Sequence, residues 1–282
     1  MGRTLETILG GLAFPEGPRW RNGRLWFSDM HAHEVIAMTP EGKRETVFSH
    51  SGPVSGLGWL PDGRMLVVSM VDQKLLRIEP DGRAVVHGDL SSVATGRCND
   101  MVVDAAGRAY VGNFGYDLHK NSPQKDADLI MVTPEGKASV VASGLQFPNG
   151  TVITRDGKTM IVGESMGRRL SAFDIAADGS LSNRRVWAEI APALPDGICL
   201  DAEGAIWSAS PFTNETIRVF EGGRVAERIK TDQMSIACAL GGPDGKTLFL
   251  LTAPTTDPEK CRANPASRIE ITQVEVGSGG SP

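Results

Sequence analysis

A short apolar strand, a glycine turn and a second apolar strand recur six times along the chain. The copies are PEGPRWRNGRLWFSD, VSGLGWLPDGRMLVVS, NDMVVDAAGRAYVGN, PNGTVITRDGKTMIVG, PDGICLDAEGAIWSAS and ACALGGPDGKTLFLLT. Their turn glycines, Gly23, Gly63, Gly107, Gly157, Gly204 and Gly245, stand 40, 44, 50, 47 and 41 residues apart, the length of a four-stranded propeller blade. Such a unit cannot bury its apolar faces alone and must stack against its neighbours. A second set of turns, at Gly42, Gly82, Gly136, Gly179 and Gly222, falls between the first, flanked by alternating segments such as KLLRIEP and HEVIAMTP. Each unit therefore reads as four strands, A to D.

The sixth copy lacks a complete second half. SRIEITQVEV can supply its strand C, and TLETIL near the N-terminus stands where a strand D belongs. Pairing the two closes the ring and removes the exposed sheet edges. The expectation is an all-β fold: a six-bladed β-propeller of four-stranded antiparallel blades, forming one domain over residues 4–276 and closed by pairing of the N- and C-terminal strands. Residues 277–282, GSGGSP, read as a flexible solvated tail. An open β-sandwich is the competing architecture. Nothing in the sequence offers a helix of any length, as an α/β fold would need after most strands.

Composition removes several partners. With 29 basic and 34 acidic side chains and a net charge of −5, the chain lacks the positive footprint of a nucleic-acid binder. No apolar run approaches the roughly 18 residues of a membrane span. The start, MGRTLETILGG, carries no signal-peptide core, which places the protein in the cytoplasm as an expectation. Cys98, Cys199, Cys238 and Cys261 form no C-x-x-C pair and read as buried free thiols.

In a propeller, equivalent positions at the start of each strand A point toward one central channel. Eight residues before the turn glycine stand Ser55, Asn99, Asn149, Asp196 and Ala237; in the first blade, whose turn is one residue shorter, the position is Glu16. Two carboxylates and two carboxamides converging on an axis would repel one another and lack partners without something positive between them. The natural occupant is a hard divalent cation, and the all-oxygen set suits calcium, magnesium or manganese better than structural zinc. The alternative is that these residues cap strand ends locally, as Asn149-Gly150 and Asp196-Gly197 could.

Chain direction puts the glycine turns on the far face and the B–C loops at the mouth of the channel. Those loops carry His31, His33, His119, Glu164-Ser165, the insertion from Phe114 to Asp128, and TAPTTDPEKCRANP. The insertion is a candidate lid. Arg97, two positions before Asn99, could hold a polar substrate or an oxyanion, and Asp117 could bind hydroxyls. The histidines receive no role. No G-x-S-x-G elbow is present, and neither Ser55 nor Ser210 has an evident histidine partner, so a serine hydrolase is not indicated.

FPEGPRW, GRCNDMVVDAAGRAYVGNFG, FPNGTVITRDGKTMIVGES and LPDGICLDAEGAIW together resemble the SMP-30/gluconolactonase/luciferin-regenerating-enzyme family, in its order and spacing. The resemblance implies a lactone hydrolase acting on a small-molecule substrate with one divalent ion, calcium first, with zinc, manganese or magnesium as alternatives. It implies Glu16, Asn149 and Asp196 as metal ligands, and Asn99 as a ligand or near-ligand that also meets substrate. Arg97 is similar to a substrate-contacting arginine, and Asp117 stands where family members carry a glutamate toward sugar hydroxyls. In such a site Asp196 would act as general base toward the attacking water. Two other readings of the same scaffold are a phosphotriester or phosphorofluoridate hydrolase and a non-catalytic binding propeller.

Overall fold

A computed structural model describes residues 3–118 and 122–281. Six antiparallel blades of four strands form in chain order, each stacked against the next around a central axis, and the fourth blade gains a two-residue fifth strand, Gly280–Ser281. The innermost strands are Pro15–Arg21, Val54–Trp59, Cys98–Val103, Pro148–Thr154, Ile198–Leu200 and Met234–Gly241. The sixth blade runs from Met234–Gly241 through Thr247–Ala253 and Ser267–Gln273 to Glu6–Leu12. Glu6 pairs with Ile271 and Leu12 with Ser267, so the predicted closure of the ring by its two ends holds. Across that seam Trp20 of the first blade stacks on Phe249 of the sixth at 5.5 Å.

The core lies between blades. Second strands are almost wholly buried, as in Met65–Ser69 and Thr247–Ala253, because both their faces meet a neighbouring sheet. Outer strands alternate or face solvent, as in Arg44–Ser49. All four cysteines are buried and free, and the Cys199 and Cys238 sulfurs lie 3.8 Å apart.

Near the axis the inner strands press together. A Cβ on Gly150 would sit 2.5 Å from the Asp196 carbonyl oxygen, and one on Gly197 2.4 Å from Ala237 Cβ. Gly150 N–H donates to Asp196 O at 3.1 Å, and Gly197 N–H to Ile236 O at 2.9 Å. These glycines permit blade-to-blade contact, so the neighbouring Asn149 and Asp196 are inward-facing residues of converging strands as well as turn-like dipeptides.

Two features differ from the sequence reading. The last B–C loop contains a short helix, Pro258–Ala263, capped by Asp257, whose side chain accepts from the Glu259 and Lys260 N–H groups. Its Asp-Pro start is a recognisable cap and N1 pair, but the helix is too short to show a period. The glycine-rich C-terminus, expected as a solvated tail, runs across the far end of the channel. Gly279 N–H donates to Leu200 O at 3.0 Å, and Gly280 and Ser281 pair with Thr154 and Ile153 on the inner side of the fourth blade. No helix among the described residues is long and apolar enough to cross a membrane.

A buried ion cluster anchors the fourth blade. The Glu164 side chain is wholly buried, receives Arg169 and Arg184 at 3.1 and 2.8 Å, and accepts from Ser171 and from Gln146 N–H. Burial pushes this carboxyl up, but hydrogen bonds from Arg169, Ser171, Gln146 and Arg184 together hold it at about 2. Because the folded value lies below the ordinary carboxylate value, the stabilisation is present above the unfolded pKa and is lost as pH falls toward 2. The shift corresponds to about 3 kcal/mol at neutral pH. Denaturant unfolding of wild type and Glu164→Gln should differ by about that amount at pH 7, with the gap closing steadily as pH is lowered; a gap independent of pH would contradict the assignment.

Candidate active site

Four of the six inward positions meet at the near mouth. Glu16, Asn99, Asn149 and Asp196 line one cup of about 480 Å³, counting the space open at its mouth. Each comes from a different blade, and all are buried, Asp196 being the most open at 9%. Ser55 completes the polar arc from the second blade, while Ala237 contributes no polar group.

A directional relay joins them. Ser55 Oγ donates to Asn99 Oδ1 at 3.3 Å, Asn99 Nδ2 to Asn149 Oδ1 at 3.0 Å, and Asn149 Nδ2 to Asp196 Oδ1 at 2.6 Å. Asn149 Nδ2 also reaches Ser165 Oγ at 3.2 Å, and Ser165 in turn donates to Pro195 O. The amide N–H groups thus point along the arc toward the carboxylate, and each amide oxygen keeps a second lone pair.

The two carboxyls oppose each other. Burial, then repulsion from Asp196 and Asp100, pushes Glu16 well above the usual carboxylate range against the pull of Gly17 N–H and Arg19. Asp196 is raised by burial and by Asp100 against hydrogen bonds from Asn149 and Glu16. Both shifts say that the doubly ionised pair is disfavoured in this cup, and a divalent cation between the two would reverse that preference. The donor set fits such an ion: two carboxylates and two carboxamide oxygens from four blades, with no softer atom among them. No group of three or more His, Cys, Asp or Glu of metal-binding arrangement occurs among the described residues, so amide oxygens would be needed to complete the set.

From the inner strand of the first blade, Arg19 reaches the third blade and pairs with Asp100 at 2.7 Å. Its other donors reach Leu57 O, Pro18 O and Met101 O, tying three blades together. Sequence reading missed this pair. Its signal was present, because the residue after the inward position is Gly17, Gly56, Gly150 or Gly197 in four blades, and Asp100 breaks that pattern.

The mouth loops supply part of the wall as expected, but the connector residues Phe14 and Phe147 were missed. Phe14, Met30, His31, Phe114, Leu118, Phe147 and Thr256 complete the cup. Phe14 and Phe147 precede Glu16 and Asn149 by two positions, on the connectors from strand D to strand A. The ends of the second strands grip these connectors. Asp29 accepts from the Ala13 and Phe14 N–H groups at 3.0 and 2.7 Å, Glu164 from Gln146 N–H at 2.8 Å, and Ser210 Oγ from Leu194 N–H at 3.0 Å. Phe147 is held at φ 61°, a left-handed conformation that costs a bulky residue about 1–3 kcal/mol.

Two predicted substrate contacts are not brought into the cup. Arg97 lines the adjoining groove with His33, Asp257 and Arg262, and Asp117 is among the residues lining neither space. The proposed lid supplies Phe114 and Leu118 to the cup; His119, within it, lies outside the described residues. His31 is buried against Phe14, with ring centroids 4.9 Å apart, whereas His33 is in the groove.

Comparison with known proteins points to one family. Residues 14–254 match the model of the SMP-30/gluconolactonase/LRE-like region. The chain is 26% identical over 254 residues to a pentonolactonase of Haloferax volcanii, covering 84% of this chain and 81% of that protein. It is 24% identical over 246 residues to regucalcin of Xenopus laevis, covering 84% and 82%. A luciferin-regenerating enzyme structure superposes with a TM-score of 0.84 at 21% identity, covering 99% of this chain and 98% of that one.

Removing Arg19 while keeping Asp100 leaves a buried carboxylate without its partner, which typically costs about 3–5 kcal/mol. Arg19→Ala should lower the Tm by about 10 °C, and Arg19→Met combined with Asp100→Leu should recover much of the loss. Thermal unfolding of both variants checks this, and equal Tm values for the single and double variants would count against it.

Proposed function

The chain belongs to the SMP-30/gluconolactonase/LRE-like family, and we propose that it is a hydrolase that opens a small lactone with a divalent cation held in the cup. The observation that carries this reading is the convergence of Glu16, Asn99, Asn149 and Asp196 in one buried cup. The pentonolactonase relative supports the substrate class. Glu16, Asn149 and Asp196 would hold the ion, with Asn99 beside them. When bound, the cation polarises the lactone carbonyl and makes water a better nucleophile.

The protein's own groups do the rest. Asp196, the most open of the four, accepts a proton from the attacking water as the oxygen adds to the carbonyl carbon. The ring C–O bond then breaks, the departing oxygen takes a proton, and the product is an open-chain hydroxy acid. Asn99, whose Oδ1 and Nδ2 are fixed by Ser55 and Asn149, orients the carbonyl end of the substrate. Phe114 and Phe147 limit bulk water at the reacting centre. Arg97, in the groove, meets the outward part of the substrate and not the reacting carbonyl.

Hydrolysis followed by proton release, on chelator-treated protein before and after addition of calcium, magnesium, manganese or zinc, tests the reading. Turnover should fall on chelation and return with at least one ion. Asp196→Asn should lose about 10²–10⁴-fold in kcat while its circular dichroism stays native. Undiminished turnover in that variant would remove Asp196 from the chemistry.

A further inference from the structure

The oxygen set sits at the bottom of a hydrocarbon well. Phe14, Met30, Phe114, Leu118 and Phe147 surround it. Phe114 and Phe147 stack at 4.5 Å with 20° between their planes, and Tyr116 packs edge-on to Phe147 at 6.1 Å. All three rings are buried, so packing fixes their faces. Beyond the four inward residues, only His31 and Thr256 bring polar side chains to the wall among the described residues. The adjoining groove is mixed: Leu118 and Val71, 38% and 53% exposed, stand there beside Arg97, His33, Asp257, Glu259 and Arg262, so the hydrocarbon wall belongs to the cup.

A substrate is chosen by what its remaining surface meets once its carbonyl reaches the oxygen set. A six-carbon sugar lactone carries four hydroxyls, and each one buried against Phe, Met or Leu without a partner costs about five- to a hundredfold in affinity. A hydrocarbon substituent has the opposite balance, with each buried methylene worth about fourfold. His31 and Thr256 can serve one or two hydroxyls, not a full ring of them.

We propose that the preferred substrate of this cup is a lactone bearing an alkyl or aryl substituent, which Phe14, Met30, Phe114, Leu118 and Phe147 enclose, and that polyhydroxylated sugar lactones are poorer ligands. The proposal rests on the lactone-hydrolase reading above and narrows it.

Two unreactive ring analogues of equal size separate this from the parent reading. Calorimetric titration of the full-length protein with a propyl-substituted δ-lactam and with D-glucono-δ-lactam should show at least tenfold tighter binding of the propyl compound; three buried methylenes would supply about fiftyfold. Equal binding, or tighter binding of the sugar analogue, overturns the proposal. Phe114→Asn should cut the ratio by about tenfold and Phe114→Leu should keep it within about threefold. Met30→Asn gives the same reading should the first variant fail to fold. Turnover of the two corresponding lactones is measured alongside: hydrolysis of neither would sink the hydrolase reading, while the lactam ratio still decides what the walls prefer.

Discussion

Six inner strands meeting on one axis leave no room for side chains between neighbouring backbones. At Gly150 and Gly197 the next blade stands where a Cβ would be, and the peptide groups hydrogen-bond directly across the gap. The residues just before these glycines have only the channel to point into. There they are cut off from water, so any polar group among them needs a partner from another blade. The relay from Ser55 through Asn99 and Asn149 to Asp196 meets that need, and it exists because four blades bring one polar atom each to the same small volume.

The same constraint reaches outward through the connectors. Asp29, Glu164 and Ser210 end their second strands by accepting the N–H groups of the chain that leads into the next inner strand, or of the residues beside it. Two of these connectors deliver Phe14 and Phe147 to the cup. Phe147 keeps a left-handed backbone, and its carbonyl receives Ser165 N–H at 3.1 Å, so the ring is presented by a conformation the surroundings enforce. In the first and fourth blades, wall and oxygen donor are therefore two residues apart, Phe14 beside Glu16 and Phe147 beside Asn149, at the junction of a gripped connector and its inner strand.

Architecture and the oxygen donors were legible because both depend on counting within a repeat. The turn glycine fixes the register of strands A and B, and the inward residue follows at a set distance. Loops have no such ruler. Arg97 and Asp117 were placed by their nearness in sequence to Asn99 and to the longest loop, and the path of the chain takes Arg97 to the groove beside the cup and Asp117 to neither space. Phe14 and Phe147 were visible in FPEG and FPNG, but an apolar residue before a strand reads as core until the ring geometry shows which way it faces. The C-terminal GSGGSP has a solvated composition, yet small residues are also what the narrow far end accepts: a Cβ on Gly279 would lie 2.0 Å from Asp201 O. Composition alone does not separate those two outcomes.

The charges around the channel bear on what the cup can hold. Glu16 and Asp196 face each other, and Asp100 acts on both. Opposite these three carboxyls stands one guanidinium, Arg19, committed to Asp100 at 2.7 Å and to three backbone carbonyls. Asp100 Oδ1 also accepts from Met101 N–H at 2.8 Å, which ties it to the floor and leaves the upper carboxyls to act as donors. With all three ionised the group carries a formal excess of two negative charges in a buried volume, where uncompensated charge is expensive. A divalent cation bound by Glu16 and Asp196 would bring that group to neutrality, whereas a monovalent ion would leave it charged. Charge balance and the all-oxygen donor set thus favour the same occupant for independent reasons, and Arg19, already committed to Asp100, would keep that carboxylate from competing for such an ion.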